Sequence, residues 1–91
     1  MAEPKQGRFK VVFTKTARRD YETIRDIKLI RGLNRLIEKL KENPYLFKKL
    51  AGPFGELRSA KTFSFRLLYQ IEQDRLIVHV VSIEHRKDVY R

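Results

Sequence analysis

The residues best equipped for chemistry lie together in one run, Glu84-His85-Arg86-Lys87-Asp88-Val89-Tyr90, directly after the most apolar segment of the chain, Leu76 to Ile83. The imidazole of His85 titrates near neutral pH and is suited to moving a proton. Arg86 keeps its charge and offers a fixed fork of donors to phosphoryl oxygens, with Lys87 as a second cation. Tyr90 adds a ring that can stack and a phenol that can hydrogen-bond. A phenol with an ordinary pKa near 10 is a poor base unless neighbouring cations favour its anion. Each residue also has a plain structural reading. The basic side chains can fasten a loop to a carboxylate, His85 can hydrogen-bond that loop, and Tyr90 can close the chain end by packing. As a set, they point to phosphate chemistry, with RNA as the first substrate to test.

The rest of the composition agrees with an anionic partner. The 91 residues carry 21 Lys and Arg against 11 Asp and Glu, a formal charge of +10 with histidine neutral. The cations recur from Lys5 to Arg91 rather than forming one tail. Such a chain is attracted to nucleic acid, an anionic membrane or an acidic protein, and charge alone does not choose among them. The absence of cysteine excludes disulfides, a thiolate nucleophile and a cysteine-based zinc site. No apolar run is long enough to cross a bilayer, and Met1 to Gly7 lacks the apolar centre of a secretory signal. The expected location is therefore the cytoplasm.

The length allows one core. Residues 1–7, with Pro4 and Gly7, are expected to form a flexible arm, and residues 8–91 a single domain. Phe9, Val11 and Phe13 alternate as in a strand with one buried face. Thr14 can cap a helix starting near Lys15, whose inner face takes Ala17, Tyr21 and Ile24. Asp26 can cap a second helix with a cleaner stripe: Leu29, Ile30, Leu33, Leu36, Ile37 and Leu40. Asn43-Pro44 stops it. Tyr45 to Gly55 reads as a loop, Phe54 to Ser59 includes a short strand, and Phe63 to Ile71 alternates strongly. Glu72-Gln73-Asp74 makes a polar turn into a strand over Leu76 to Ile83, which belongs near the sheet centre and forms a hairpin with the strand before it. His79, inside that strand, reads as structural. The resulting fold class is α+β, with two helices from the N-terminal half packed on a mainly antiparallel four-stranded sheet.

The order of tracts resembles the RelE/ParE toxin superfamily, most closely its RelE-like mRNA interferases. The tracts are Phe13-Thr14-Lys15-Thr16-Ala17-Arg18, Glu42-Asn43-Pro44, Leu57-Arg58-Ser59, Phe65-Arg66-Leu67-Leu68-Tyr69 and His85-Arg86-Lys87-Asp88-Val89-Tyr90. The resemblance implies a RelE-like domain and a toxin that enters the ribosomal A site and cuts translated mRNA. It implies an antitoxin encoded by an adjacent gene, and contact with DNA only through that antitoxin. No membrane, metal or cofactor is implied. Attack of the RNA 2′-hydroxyl on the adjacent phosphate leaves a 2′,3′-cyclic phosphate and a free 5′-hydroxyl. That chemistry needs in-line orientation, charge stabilisation and proton transfer.

Carried over position by position, the resemblance assigns phosphate binding and transition-state stabilisation to Arg66 and Arg86. Tyr90 takes the place of the C-terminal catalytic tyrosine. Alternation also turns Arg66 away from the apolar face of Phe65 and Leu67. Arg58, Lys61 and Lys87 are further candidates for RNA backbone contact, with structural pairing as the plain reading of Arg58. The chain departs from the pattern just before Leu57, where the best-known member carries two lysines and this sequence has Phe54 and Glu56. A rearranged site in which Glu56 and His85 share the acid and base roles is one expectation. Two other outcomes stay open: a toxin fold that binds its antitoxin without efficient cleavage, and a ParE-like inhibitor of DNA gyrase.

Overall fold

A computed structural model describes residues 8–50, 56–62 and 64–85. The first alternating segment forms β1 (Lys10–Phe13), which ends at Thr14. The hydroxyl of Thr14 accepts a hydrogen bond from the Ala17 N–H at 3.1 Å and so caps α1 (Lys15–Glu22). Asp26 repeats the device for α2 (Ile27–Glu42), accepting from the Lys28 N–H at 2.8 Å. At the far end Pro44 has no N–H to continue the ladder. Asn43 then caps a single 3-10 turn, Pro44–Leu46.

The remaining strands are β2 (Arg58–Lys61), β3 (Phe65–Glu72) and β4 (Ile77–His85). They form one sheet in the order β1-β4-β3-β2, with β1 parallel to β4 and the other neighbours antiparallel. The parallel pair requires a long crossover, and α1 and α2 supply it. The expected fold class is therefore the one observed.

One face of the sheet is covered by the helices. Leu33, Leu36 and Leu40 of α2 and Ala17 of α1 meet Phe65, Leu67, Tyr69, Val78, Val80 and Ala60 in a single core. Leu29, Ile30 and Ile37 flank that stripe and are half-buried. Tyr69 is fully buried, and its phenol donates to the Pro44 carbonyl at 2.7 Å, fastening the turn after α2 to the sheet. Burial pushes that phenol up to about 12, so it works as a neutral donor.

Several boundaries differ from the sequence reading: α1 ends at Glu22, before Ile24, β3 runs Phe65–Glu72, and β4 extends past Ile83 to take in Glu84 and His85. The short strand expected within Phe54 to Ser59 is displaced: it begins at Arg58 and runs to Lys61, because the register pairs Arg58 with Tyr69 and Lys61 with Arg66. Phe54 lies outside the described residues. Leu76 belongs to the turn and not to the last strand. It adopts left-handed backbone, φ 54 and ψ 50, to close the 3-10 turn Gln73–Arg75. This conformation costs a non-glycine residue about 1–2 kcal/mol, and packing of the Leu76 side chain against the core offsets it. The Tyr45–Gly55 loop is also not wholly irregular. Lys49 bridges Arg58, the Leu50 N–H donates to the Leu57 carbonyl at 2.9 Å, and the Ser59 N–H donates to the Lys48 carbonyl at 3.0 Å.

The end of β4 projects beyond β1, and among the described residues no strand pairs with it on that side. Side chains take over. The register slips between Leu68 and Tyr69, leaving Val81 without a partner on β3. The Thr14 hydroxyl donates to the Val81 carbonyl at 2.9 Å. Asp20 of α1 accepts from the Ile83 N–H at 2.9 Å. At the opposite end of β4, His79 Nε2 lies 2.8 Å from Glu72, which also receives Arg75 at 3.3 Å. The His79 hydrogen bond, helped by the Arg75 charge, holds the Glu72 carboxyl below the usual carboxylate range. His79 thus has the structural role expected of it. Among the described residues, no helix is long and apolar enough to cross a membrane.

Leu33→Ala should destabilise the fold by about 2–5 kcal/mol in denaturant titration, since this side chain is fully enclosed; a loss below about 1 kcal/mol would contradict its central place. Asp20→Ala should cost about 1–3 kcal/mol by leaving the Ile83 N–H unpaired, and amide exchange at Ile83 should accelerate more than at Val78. The Glu72 pKa is lower folded than unfolded, so its contribution is complete above the ordinary carboxylate range and is lost as pH falls through the folded value. Glu72→Gln should therefore flatten the acid limb of a stability–pH curve while leaving the alkaline limb in place.

Candidate functional site

Alternation along the β2–β3–β4 pairing places different chemistry on the two faces of the sheet. Phe65, Leu67, Ala60 and Ile83 are buried under the helices. The residues between them face the other way. Across that second face the register sets Lys61, Arg66 and Glu84 in one row, with Ser59, Leu68 and Ser82 in the next. Arg66 therefore lies where the sequence placed it, half-buried among residues turned away from the core, with Lys61 exposed beside it.

A groove of about 490 Å³ opens at this corner. One wall is the extended segment after the Pro44–Leu46 turn, contributing Leu46, Phe47, Lys48 and Leu50; the other is Ser59, Lys61 and Arg66. Lys49 lines the groove as well. The two backbone hydrogen bonds between this segment and Leu57 and Ser59 hold the walls in register. The Ser59 hydroxyl is buried without a hydrogen-bond partner among the described residues. Lys48 and Phe47 were not singled out in the sequence. Their signal was present, as two lysines beside an aromatic, but they sat in a stretch without periodicity.

Arg58 lies on the opposite face of β2 from Lys61's neighbour Ser59. Its guanidinium donates to the Phe47 carbonyl at 2.7 Å and sits 5.3 Å from the centre of the Tyr45 ring. Tyr45 in turn donates its phenol to Gln73 at 2.7 Å. Arg58 therefore clamps the groove's outer wall to the sheet from behind, the plain alternative to backbone contact with RNA.

Glu56 and His85 are not brought together. Glu56 lines a neighbouring cleft of about 170 Å³ with Tyr45, Lys49, Arg58, Ile71 and Gln73, Lys49 being common to it and the groove. His85 pairs with Phe65 at the other end of β3, and its ring packs against that of Phe65 at 4.6 Å between centres. Ile71 and Phe65 are six residues apart, about 20 Å of strand at roughly 3.3 Å per residue. The expected sharing of acid and base roles by Glu56 and His85 therefore finds the two at opposite ends of β3. His85 also shares the side of the sheet taken by Phe65, whereas Arg66 points to the other. The hairpin register explains the displacement: the β2 residue facing Arg66 is Lys61, and Arg58, at the start of β2, already pairs with Tyr69 toward the far end of β3. Arg86, Lys87 and Tyr90 lie outside the described residues.

Comparison with known proteins agrees with this architecture. Residues 11–90 match a family model described as the ParE toxin of the type II toxin–antitoxin system parDE. Toxin RelG of Mycobacterium tuberculosis is 33% identical over 88 residues, spanning 91% of this chain and 97% of the relative. A chain of the toxin–antitoxin complex RelBE2 from the same organism superposes with a TM-score of 0.79 at 27% identity, covering 87% of this chain and 99% of that one. The isolated E. coli RelE toxin has the same fold, with a TM-score of 0.73 at 21% identity and coverage of 91% and 90%. With the family model matching over residues 11–90 and a 33% identical relative spanning nearly its whole length, this chain belongs to the RelE/ParE superfamily and is a toxin of a type II toxin–antitoxin system.

Proposed function

We propose that the chain is a ribosome-dependent endoribonuclease that cuts translated mRNA in the A site. The observation that carries this reading is Arg66, held half-buried on the face of the sheet turned away from the helices, between Lys61 and Glu84 in register. A rigid cation on a strand is suited to a phosphoryl group whose charge grows in the transition state. In the proposed step the 2′-oxygen forms a bond to the adjacent phosphorus while the bond to the 5′-oxygen breaks. The 2′-hydroxyl proton leaves to a base and the departing 5′-oxygen gains one, giving a cyclic phosphate and a 5′-hydroxyl. Arg66 and Arg86 stabilise the phosphoryl oxygens, and Tyr90 orients the nucleotide by stacking. Lys87 contributes backbone attraction. Neither Glu56 nor His85 is assigned a proton, given their separation.

An antitoxin encoded by the adjacent gene is the proposed protein partner, supported by the RelBE2 relative, which is a toxin–antitoxin complex. DNA is reached through that antitoxin, and the ribosome aligns the mRNA. The proposed place of action is the cytoplasm.

The ParE description of the matching family model favours a second reading, inhibition of DNA gyrase. Both readings are tested by inducing the wild type in growing cells and mapping mRNA 5′ ends, alongside a gyrase supercoiling assay. Cleavage predicts new ends with codon-linked positions, reduced about 100- to 1000-fold by Arg66→Ala or Arg86→Ala. Unchanged ends, with abundant folded toxin and isolated translating ribosomes, would overturn the nuclease reading. Blocked supercoiling with intact mRNA would establish the second. Tight antitoxin binding without toxicity on release would identify a chain that keeps the fold and lacks efficient cleavage.

A further inference from the structure

We propose that the groove between the Leu46–Leu50 segment and the Lys61–Arg66 corner is a subsite for one nucleotide of single-stranded RNA next to the scissile phosphate. The choice of RNA rests on the nuclease reading; the groove itself rests on three observations. Its described lining carries lysines 48, 49 and 61 together with Arg66, and no carboxylate. Glu84 flanks Arg66 in register and Glu56 shares the neighbouring cleft with Lys49, which leaves Lys48 and Lys61 as the cations that give the groove its attraction for an anion.

The same groove is not purely cationic. Leu46 is 61% exposed at its mouth, and Phe47 and Leu50 are half-buried behind it. An apolar wall beside fixed cations matches a nucleotide, which presents a flat base on one side and a phosphate on the other. A volume of about 490 Å³ accommodates such a unit. Ser59 supplies the third observation. Its hydroxyl, unpaired among the described residues, belongs to the groove lining and meets a polar group of the sugar or base after a change of rotamer.

The walls are preorganised for this. Lys48 is fixed by the hydrogen bond from Ser59 to its own carbonyl, and Lys61 by its pairing with Arg66. Arg58 acts as a positioning residue, holding the Phe47 carbonyl from the other face. The subsite thus assigns phosphate contacts to Lys48 and Lys61, base contact to Leu46 and Phe47, and leaves Arg66 for the reacting phosphate.

The test uses the full chain and a short fluorescent RNA made uncleavable by 2′-O-methylation, with affinity read by anisotropy across salt concentrations. Each phosphate contact to a single strand adds about 0.7 to the slope of log affinity against log salt. Lys48→Ala/Lys61→Ala should therefore shrink that slope by about 1.4, whereas Lys28→Ala/Arg31→Ala on the exposed side of α2 should leave it close to wild type. Leu46→Ser should abolish the preference for the oligomer over its abasic counterpart. All these positions are exposed, so folding is preserved. Equal slopes in the two double variants, or a base preference indifferent to Leu46, would overturn the subsite even if transcripts are cut. The predicted slope and base effects without any mRNA cleavage would support the groove and overturn the nuclease reading alone.

Discussion

The antiparallel pairing of β3 with β4 is the constraint on which the molecule depends. Phe65, Leu67 and Tyr69 can enter the core only if the residues between them leave it, because a strand alternates with a period of two. Burying three large side chains therefore forces Arg66 and Leu68 onto the other face. A slip of one residue would place a guanidinium among Leu33, Leu36 and Leu40, where an unpaired charge carries a large desolvation penalty. The core and the candidate site are thus two sides of one register.

That register also divides the cations by task. Arg58 and Lys61 stand three residues apart on β2, so they face opposite ways. Arg58 is used up in holding the turn after α2, through the Phe47 carbonyl and the Tyr45 ring. Lys61 remains exposed beside Arg66. Equivalent charge in the composition has unequal meaning in the fold. The surplus of basic residues sets the long-range field, while Lys61 and Arg66 are held by backbone pairing on the face turned away from the helices.

The end of β4 shows how a short β1 is accommodated. Beyond Phe13 no strand among the described residues continues the pairing of β4 on that side, and α1 turns back across the gap. Thr14 serves twice, as the cap of α1 and as the donor to Val81, and Asp20 completes the edge. The strand carrying His85 is thereby anchored up to the last described residues. A helix in this position does more than cover the core, since it replaces the missing partner of the strand that leads toward Arg86 and Tyr90.

Much of this was legible in the sequence alone. The period of two over Phe65 to Ile71, the stripe from Leu29 to Leu40, and the caps Thr14 and Asp26 are local patterns, set by strand and helix geometry regardless of the rest of the chain. They determined the element order, the core and the outward direction of Arg66. The partnerships were decided only by tertiary structure. Lys48 gained significance by pairing across to Ser59, Arg58 lost it by turning under Tyr45, and Glu56 and His85 were separated by the length of β3. No local pattern carries that information, because hairpin register depends on where two distant segments meet, and one residue of shift changes every neighbour across the sheet.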